Sequence, residues 1–322
     1  MKKTYELLTT GCLALLLIFA SAGCGRTSPA QGGAEMEGTI SISGAFALYP
    51  MMTRWAEEYQ AIHPGVRFDI SAGGAGKGMA DALAGAVDIG MVSREIAPEE
   101  QDKGAFWVAV TKDAVFPMVN VENPVIVELL EQGVTRETFA GIYISGDVQT
   151  WGQVVGRPEL SDAIHVYTRS DAAGAPETWA KFLGGTQEDL LGIGVFGDPG
   201  LADAVARDEL GIGYNNLNYA YDAASGEPLA GLVVLPLDIN ANGAADPEEL
   251  LEAKKDALEA VASGRYPSPP ARLLNLVTNG EPGGLVREFI LWVLADGQQF
   301  VDEAGYIQLS AEQLAAEAAK LH

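Results

Sequence analysis

A strand followed by a glycine-rich loop, a helix and a second strand is the sequence feature that most constrains how this chain folds. Residues 66–95 read VRFDISAGGAGKG, MADALAGA and VDIGMVSRE in that order. A strand that runs into a glycine-rich helix start leaves several backbone N–H groups unpaired and pointing at one place. We therefore expect an anion to bind near this loop.

Strand-like and helix-like segments alternate along the chain, which favours an α/β fold with mainly parallel sheets. The chain is long enough for two lobes. We predict that residues 38–116 plus 266–322 form lobe 1 and residues 117–265 form lobe 2, joined by two crossover segments with a ligand cleft between them. Strands are predicted over 39–43, 66–70, 87–91, 106–110, 163–167, 211–214, 232–237 and 273–277, and helices over 51–63, 179–183, 250–262, 285–295 and 311–321.

The N-terminus has the features of an export signal. Two lysines precede an apolar run over residues 12–22 that is too short to span a bilayer. Small residues before Cys24 favour a lipoprotein signal over residues 1–23, with Cys24 carrying lipid and residues 24–37 serving as a tether. Plain secretion and an uncleaved anchor are the alternatives. We expect a protein anchored to the cell envelope on its periplasmic or extracellular face.

Charge and cysteine content exclude several function classes. The formal net charge is −24, and removal of residues 1–23, which hold two Lys and one Glu, moves it to −25. So acidic a protein repels nucleic acid, which argues against a DNA or RNA partner. The two cysteines are Cys12 and Cys24, so the exported body has no thiol for a nucleophile, an iron–sulfur cluster or a thiolate zinc site.

Three strand-to-helix junctions carry the predicted anion site. The first junction is residues 43–50 (SGAFALYP), the second is residues 71–78 (SAGGAGKG) and the third is residues 167–176 (YTRSDAAGAP). None places an Asp or Ser clearly at the N-cap, so the first-turn amides lack an evident internal acceptor. Three open helix ends facing one cleft would bind a small tetrahedral oxyanion, whereas three water-capped loops are the alternative. The nearby cations are Lys77, Arg94 and Arg169.

The second junction fails both tests for a nucleotide-binding loop. A phosphate loop of the G-x-x-x-x-G-K-[ST] type needs glycine at Ser71 and a hydroxyl at Gly78. A dinucleotide fingerprint meets Met79 where it requires glycine. Lys77 is therefore interpreted either as a charge in the cleft or as a solvated side chain.

Together these segments resemble the phosphate-binding lipoproteins of bacterial ABC phosphate importers. The matching motifs, in consistent order over nearly all of the exported chain, are S-G-A-x-x-L-Y-P, the glycine loop, VDIGMVSRE and R-S-D-x-x-G. The resemblance implies a two-lobed periplasmic binding protein of type 2 topology that captures inorganic phosphate and delivers it to a membrane permease. It implies no catalysis, and we expect a monomer.

The resemblance also implies which residues contact the ligand. In the first junction, it implies that the backbone amides of Leu48 and Tyr49 donate to the anion. Arg169 and the amides carry over from the family. Ala75 stands where the family has a serine donor, and Ser93 stands where it has an acidic acceptor. Ala173 and Ala175 also replace family donors. With Lys77 and Arg94 added as cations near the junctions, the full set of expected ligand-binding residues is Ala47, Leu48, Tyr49, Ala75, Gly76, Lys77, Ser93, Arg94, Arg169, Asp171, Ala173, Gly174 and Ala175.

Because Ser93 replaces the family's acidic acceptor, the sequence does not decide whether the ligand is phosphate or another solute. An aspartate can accept a hydrogen bond from protonated phosphate while repelling sulfate, and a neutral Ser93 need not discriminate in this way. Phosphate is the expected ligand, and another oxyanion or a phosphorylated or carboxylated solute is the alternative. An envelope phosphoester hydrolase is the alternative of another class, and it would need a nucleophile or a catalytic metal in the cleft.

A second motif predicts a calcium loop over residues 238–249 (DINANGAADPEE). It matches D-x-[DN]-x-[DN]-G-x5-E at every required position. A strand precedes it, so it is not a paired EF-hand, and an acidic solvated turn is the alternative. We expect structural calcium here and no catalytic cofactor. The expected ligands are Asp238, Asn240, Asn242, the carbonyl of Ala244, Asp246 directly or through water, and Glu249.

Overall fold

The structure, a computed structural model of the chain, describes residues 36–321. The predicted signal over residues 1–23, the predicted lipidation site Cys24 and nearly all of the predicted tether lie outside the described residues. Within the described part, no helix is both long enough and apolar enough to cross a membrane.

Strands and helices alternate along the described chain, and each predicted strand and helix overlaps an observed one. The strands are β1 (Glu37–Gly44), β2 (Gly65–Ala72), β3 (Ile89–Val92), β4 (Ala105–Asn120), β5 (His165–Arg169), β6 (Ile193–Val195), β7 (Gly211–Asn216), β8 (Leu232–Val234) and β9 (Ala271–Asn279). The helices are α1 (Tyr49–Ile62), α2 (Ala75–Leu83), α3 (Pro98–Gln101), α4 (Ile126–Gln132), α5 (Arg136–Ala140), α6 (Trp151–Val154), α7 (Gly174–Leu183), α8 (Gly197–Ala206), α9 (Leu217–Ala220), α10 (Lys254–Ser263), α11 (Gly284–Leu294) and α12 (Ala311–Ala318). Short 3-10 turns lie at Phe46–Leu48, Gln187–Asp189 and Asp296–Phe300, and a π-helical turn lies at Gly141–Ser145.

The described strands form a mixed sheet in the order β2-β1-β3-β9-β4-β7-β5-β6, with β8 beside β4. The pairs β1–β2, β1–β3, β5–β6 and β5–β7 are parallel. In contrast, β9 is antiparallel to β3 and β4, and β4 is antiparallel to β7 and β8. The fold is therefore α/β, but its parallel pairing is confined to the two ends of the sheet because β4 and β9 run through its middle.

Strand β4 is continuous from Ala105 to Asn120, whereas the sequence predicted a strand over residues 106–110 and a new α/β set near Val119. Its first half pairs with β9, and its second half pairs with β7 and β8. Residues 113–120 are all buried. A strand covered on both faces has no polar alternation to mark its course, which is why the sequence pattern understated its length.

Two large hydrophobic clusters lie along this sheet. The first includes Trp55 and Tyr59 of α1 and Phe289 of α11. The second is built around Trp179 of α7 and Tyr214 of β7. Both β4 and β9 contribute residues to each cluster, so these two strands connect the first cluster to the second. The predicted lobe boundaries stay a prediction.

Asp113 lies on β4 near the point where the strand passes from one cluster to the other. Its side chain is 1% exposed, lies 3.4 Å from the guanidinium of Arg272 on β9, and accepts a hydrogen bond from the Leu217 amide at 3.2 Å. Burial raises the pKa of Asp113 to about 6, although Arg272 acts in the opposite direction. The folded state therefore holds a proton on Asp113 at pH values where the unfolded chain has lost it.

This raised pKa gives a stability prediction with a defined sign. As the pH rises from 4 to 6.5, the unfolded chain releases the Asp113 proton at a lower pH than the folded protein does. The contribution of Asp113 to the wild-type free energy of unfolding therefore falls over this range. Asp113→Asn removes the titration. We expect the stability of the variant relative to wild type to increase by about 2–3 kcal/mol over this range, measured by urea unfolding at both pH values. A difference that does not change with pH would contradict the prediction.

Candidate functional site

The three junctions begin helices that have no side-chain cap. The N-cap residues of α1, α2 and α7 are Leu48, Gly74 and Ala173, and none of their side chains makes a capping hydrogen bond. In contrast, Thr135 and Thr150 cap α5 and α6 through their hydroxyls. The first-turn amides of the three junction helices are therefore left for other acceptors.

Several amides of these helix starts have no acceptor within residues 36–321. In the first junction, the Leu48 amide donates to the Ala45 carbonyl at 3.1 Å and the Tyr49 amide donates to the Phe46 carbonyl. These two predicted donors are therefore used inside the 3-10 turn. The amides left without an acceptor in the described chain are those of Phe46, Ala47, Ala75, Lys77, Gly174 and Ala175.

The second and third junctions are in direct backbone contact. The Gly76 amide donates to the Ala172 carbonyl at 3.0 Å. A Cβ atom at Gly74 would lie 2.7 Å from Oδ2 of Asp171, and one at Gly76 would lie 2.8 Å from Cβ of Ala172. Glycine is required at both positions because any side chain would push the two loops apart.

The end of β3 and the first junction also pack against the third junction. A Cβ atom at Gly174 would overlap the carbonyl oxygen and Oγ of Ser93, which is buried. In the first junction, the ring of Phe46 lies 5.5 Å from the guanidinium carbon of Arg169 and 6.0 Å from the ring of Phe196. Ala47 is also buried, and its carbonyl accepts a hydrogen bond from the Tyr306 hydroxyl at 2.7 Å. The structure thus brings the predicted site segments together.

Arg169 is paired with two carboxylates. Its Nε donates to Oδ1 of Asp171 at 2.8 Å, its Nη2 donates to Oδ2 of the same residue at 2.5 Å, and its Nη1 donates to Asp198. The side chains of Arg169, Asp171 and Asp198 are 1%, 9% and 2% exposed. The positive charge that the sequence predicted for the ligand is therefore matched by two negative charges.

Sequence reasoning missed Asp198, which lies in the first turn of α8. Burial raises its pKa, and Arg169 opposes this effect. The Asn216 side chain donates to its Oδ2 at 2.7 Å. The segment Phe196-Gly197-Asp198-Pro199 directly follows strand β6, and a further strand-to-helix junction with proline in the first turn is the signal that would have found it.

The other two predicted cations are also paired. Arg94 donates to both carboxylate oxygens of Glu100, at 2.6 and 2.8 Å, and lies 3.1 Å from Glu177 of α7. Lys77 is about half exposed and forms an ion pair with Asp81 one turn along α2. Neither side chain offers an uncompensated positive charge to a ligand.

The predicted calcium loop folds around its own carboxylates. Asp238 accepts from the amides of Asn242 at 3.1 Å and Gly243 at 2.9 Å, and Glu249 accepts from those of Ile239 at 2.7 Å and Asp246 at 3.1 Å. Asp238 and Glu249 are both buried. No group of three or more His, Cys, Asp and Glu side chains in the described part of the chain is arranged to hold a metal ion, and the calcium site stays a prediction.

The contact between Gly174 and Ser93 gives a direct test of the close packing of the junctions. We expect Gly174→Ala to lower the free energy of unfolding by about 2 kcal/mol or more, because the new methyl group overlaps Ser93. Gly283→Ala is the matched control, since Gly283 also stands at a helix start, has φ −125° and has no neighbour within 4 Å of its would-be Cβ. It should change stability by less than about 1 kcal/mol in the same urea titration. Equal losses in the two variants would contradict the packing argument.

Comparisons with known proteins agree with this architecture. A family model described as a PBP superfamily domain matches residues 29–296. The phosphate-binding protein PstS of Pseudomonas aeruginosa is 28% identical over 92% of this chain and 94% of its own length, and the protein of the same name from Methanocaldococcus jannaschii is 26% identical over 92% and 90%. These relatives confirm the resemblance seen in the sequence.

A solved structure confirms the fold class. A phosphate ABC transporter substrate-binding protein from Clostridium perfringens, with bound phosphate, superposes with a TM-score of 0.68 at 24% identity. The match covers 85% of this chain and 100% of that one. With the family model covering most of its length, this chain belongs to the PBP superfamily and has the two-lobed periplasmic binding protein fold.

Proposed function

We propose that this protein is an extracytoplasmic solute-binding protein that captures inorganic phosphate and delivers it to an ABC importer, without catalysing a reaction. The observation that carries the proposal is the convergence of three uncapped helix starts whose first-turn amides lack acceptors among the described residues. The names of the relatives, which are phosphate-binding proteins, support inorganic phosphate as the ligand.

Backbone amides suit this task because their direction is fixed by the helices. A tetrahedral oxyanion presents several acceptor oxygens, and amides at helix N-termini add a favourable dipole without bringing a mobile charge. Donors already held in place lose little freedom when the ligand binds. The fixed donors thus supply local attraction in a protein whose overall charge of −24 repels anions at long range.

The predicted export signal and the family support the remaining parts of the proposal. We propose that Cys24 carries lipid after removal of residues 1–23, that the protein is anchored to the cell envelope on its periplasmic or extracellular face, and that it acts as a monomer. Its partner is the membrane permease of the importer. A phosphoester hydrolase is the competing function, and turnover of a phosphoester by the pure protein would favour it over capture.

Calorimetry against phosphate, sulfate and molybdate tests whether the protein binds an oxyanion. The variant Ala75→Ser tests whether the anion binds at the start of α2. Ala75 is the first residue of α2, is fully buried and has an amide without an acceptor in the described chain. A hydroxyl there would add one hydrogen bond to a charged ligand, so we expect phosphate affinity to rise about tenfold.

Ala84→Ser, at the exposed C-terminal end of the same helix, is the control and should leave the affinity unchanged. Absence of heat with all three anions would overturn the proposed function. Phosphate binding that is equally insensitive to both serine substitutions would place the site away from α2.

We also propose that residues 238–249 bind calcium in a structural role. The backbone supports this, because Gly243 has φ +78° and Ala241 has φ +56°, which gives the tight turn that such a loop needs. The side-chain amides of Asn240 and Asn242 donate to Asp246 at 2.7 and 3.0 Å. A bound cation requires both amides to turn so that their oxygens replace their NH₂ groups at the centre.

Thermal unfolding in calcium and in chelator tests this site. We expect excess calcium to raise Tm by about 3 °C or more, because the ion binds the folded loop only. Glu249→Gln should abolish the shift, since the buried Glu249 closes the ligand shell. Glu248→Gln removes the same charge from an exposed neighbour and should preserve the shift. A Tm that is identical in excess calcium and in chelator would contradict calcium binding by this loop.

A further inference from the structure

Lys254 is a buried lysine whose partner is an amide and not a carboxylate. It is the first residue of α10 and is 7% exposed. Its Nζ donates to Oδ1 of Asn218 on α9 at 2.5 Å, and Lys254 forms no ion pair with a carboxylate within residues 36–321. A buried ammonium group needs an opposite charge to offset its lost hydration, and a neutral amide does not supply one. The surroundings of Lys254 therefore favour a neutral nitrogen.

The side-chain amide of Asn218 is only partly satisfied. Its Oδ1 accepts from Lys254, whereas its Nδ2 is buried and has no hydrogen-bond partner in the described part of the chain. A buried NH₂ group without an acceptor lowers stability. Loss of this nitrogen from the folded protein would remove the unpaired group.

The two side chains lie within reacting distance of each other. Because a carbonyl bond is about 1.2 Å long, Nζ of Lys254 lies no more than about 3.7 Å from Cγ of Asn218. Reacting atoms poised for attack are about 3–3.5 Å apart. Gly305 permits the approach, since a Cβ atom at this position would overlap Nζ. The fold thus holds an amine against the carbonyl carbon of an amide.

Burial also supplies the protonation states that amide formation needs. It lowers the pKa of Lys254, although Asp113 and Asp222 act in the opposite direction, so the neutral and nucleophilic amine is more populated than in water. Asp113 is a buried acid within electrostatic reach of Lys254, and it accepts a hydrogen bond from the Leu217 amide, next to Asn218. Its raised pKa of about 6 allows it to hold a proton closer to neutral pH than an ordinary carboxyl does.

We propose that Lys254 and Asn218 join spontaneously in an intramolecular isopeptide bond. The neutral Nζ attacks Cγ of Asn218, a C–N bond forms between them, and the bond from Cγ to Nδ2 breaks. One proton moves from Nζ to Nδ2, with Asp113 as the acid that passes it on, and ammonia leaves. Nothing is oxidised or reduced. The product is a neutral amide in place of a buried amine and an unpaired NH₂ group.

The bond gives a covalent cross-link to a chain that has no disulfide in its exported body. It closes the segment from Asn218 to Lys254, which contains β8 and the predicted calcium loop over residues 238–249. A cross-link of this kind stabilises the folded state mainly by restricting the unfolded chain. The inference does not depend on which ligand the protein binds.

Mass spectrometry of the purified protein tests the bond directly. We expect wild type to weigh about 17 Da less than its processed sequence, which is the mass of one ammonia molecule. A protease that cleaves after glutamate, except before proline, should release residues 210–248 and 253–259 as one joined species. Wild type of full mass would overturn the proposal. Loss of ammonia with the two peptides separate would also overturn it, because the loss would then come from another reaction.

Two lysine variants separate the bond from its surroundings. Lys254→Arg has no nucleophilic amine, so it should keep its full mass and lose at least about 5 °C in Tm. Lys255→Arg, at the exposed next position, should still lose ammonia and keep the wild-type Tm. Loss of ammonia in Lys254→Arg would overturn the proposal. If this variant does not fold, the joined or separate peptides of wild type decide.

Asp113→Asn tests the acid. A variant that unfolds cooperatively on heating, and is therefore folded, should keep its full mass and give two separate peptides. A joined species in folded Asp113→Asn would overturn the role of Asp113.

Discussion

The buried ion pairs of Arg169 are the interaction on which the rest of the site depends. They join β5 to Asp171 in the third junction and to Asp198 on α8, while the same guanidinium lies over the ring of Phe46 in the first junction. Removing Arg169 would leave two buried carboxylates without a counter-charge, and breaking a buried ion pair in this way costs about 3–5 kcal/mol. These ion pairs tie the third junction to β5 and α8, and the Gly76 amide of the second junction donates directly to the Ala172 carbonyl of the third.

With its arginine neutralised, the site must attract an anion through dipoles. The amides of Ala75 and Gly174 begin helices of 9 and 10 residues, long enough to supply a helix dipole at their N-termini. Glycines at positions 74 and 76 have no side chain, which allows the backbones of these two helix starts to lie in direct contact. A site made of oriented amides can bind an anion inside a strongly acidic protein.

The sequence predicted the parts of this arrangement that are encoded locally. Glycine and proline at the helix starts indicated uncapped amides, and the alternation of strands and helices indicated the α/β fold. The sequence misplaced the first-junction donors, because a 3-10 turn uses the amides of Leu48 and Tyr49 and leaves those of Phe46 and Ala47. It also missed Asp198. The strand-to-helix junction that carries this residue is visible in the sequence, but its contact with Arg169, 29 positions away, is not.

A crystal structure of the protein grown with inorganic phosphate would show directly whether the three junctions hold the anion. We expect one phosphate enclosed by the three junctions, with its oxygens about 2.7–3.2 Å from backbone amides of all three, including those of Ala47, Ala75 and Gly174. Arg169 should keep its contacts with Asp171 and Asp198 in the same structure. Phosphate bound only away from these junctions, or held by side-chain charges with no amide contact, would contradict a binding site built from backbone amides.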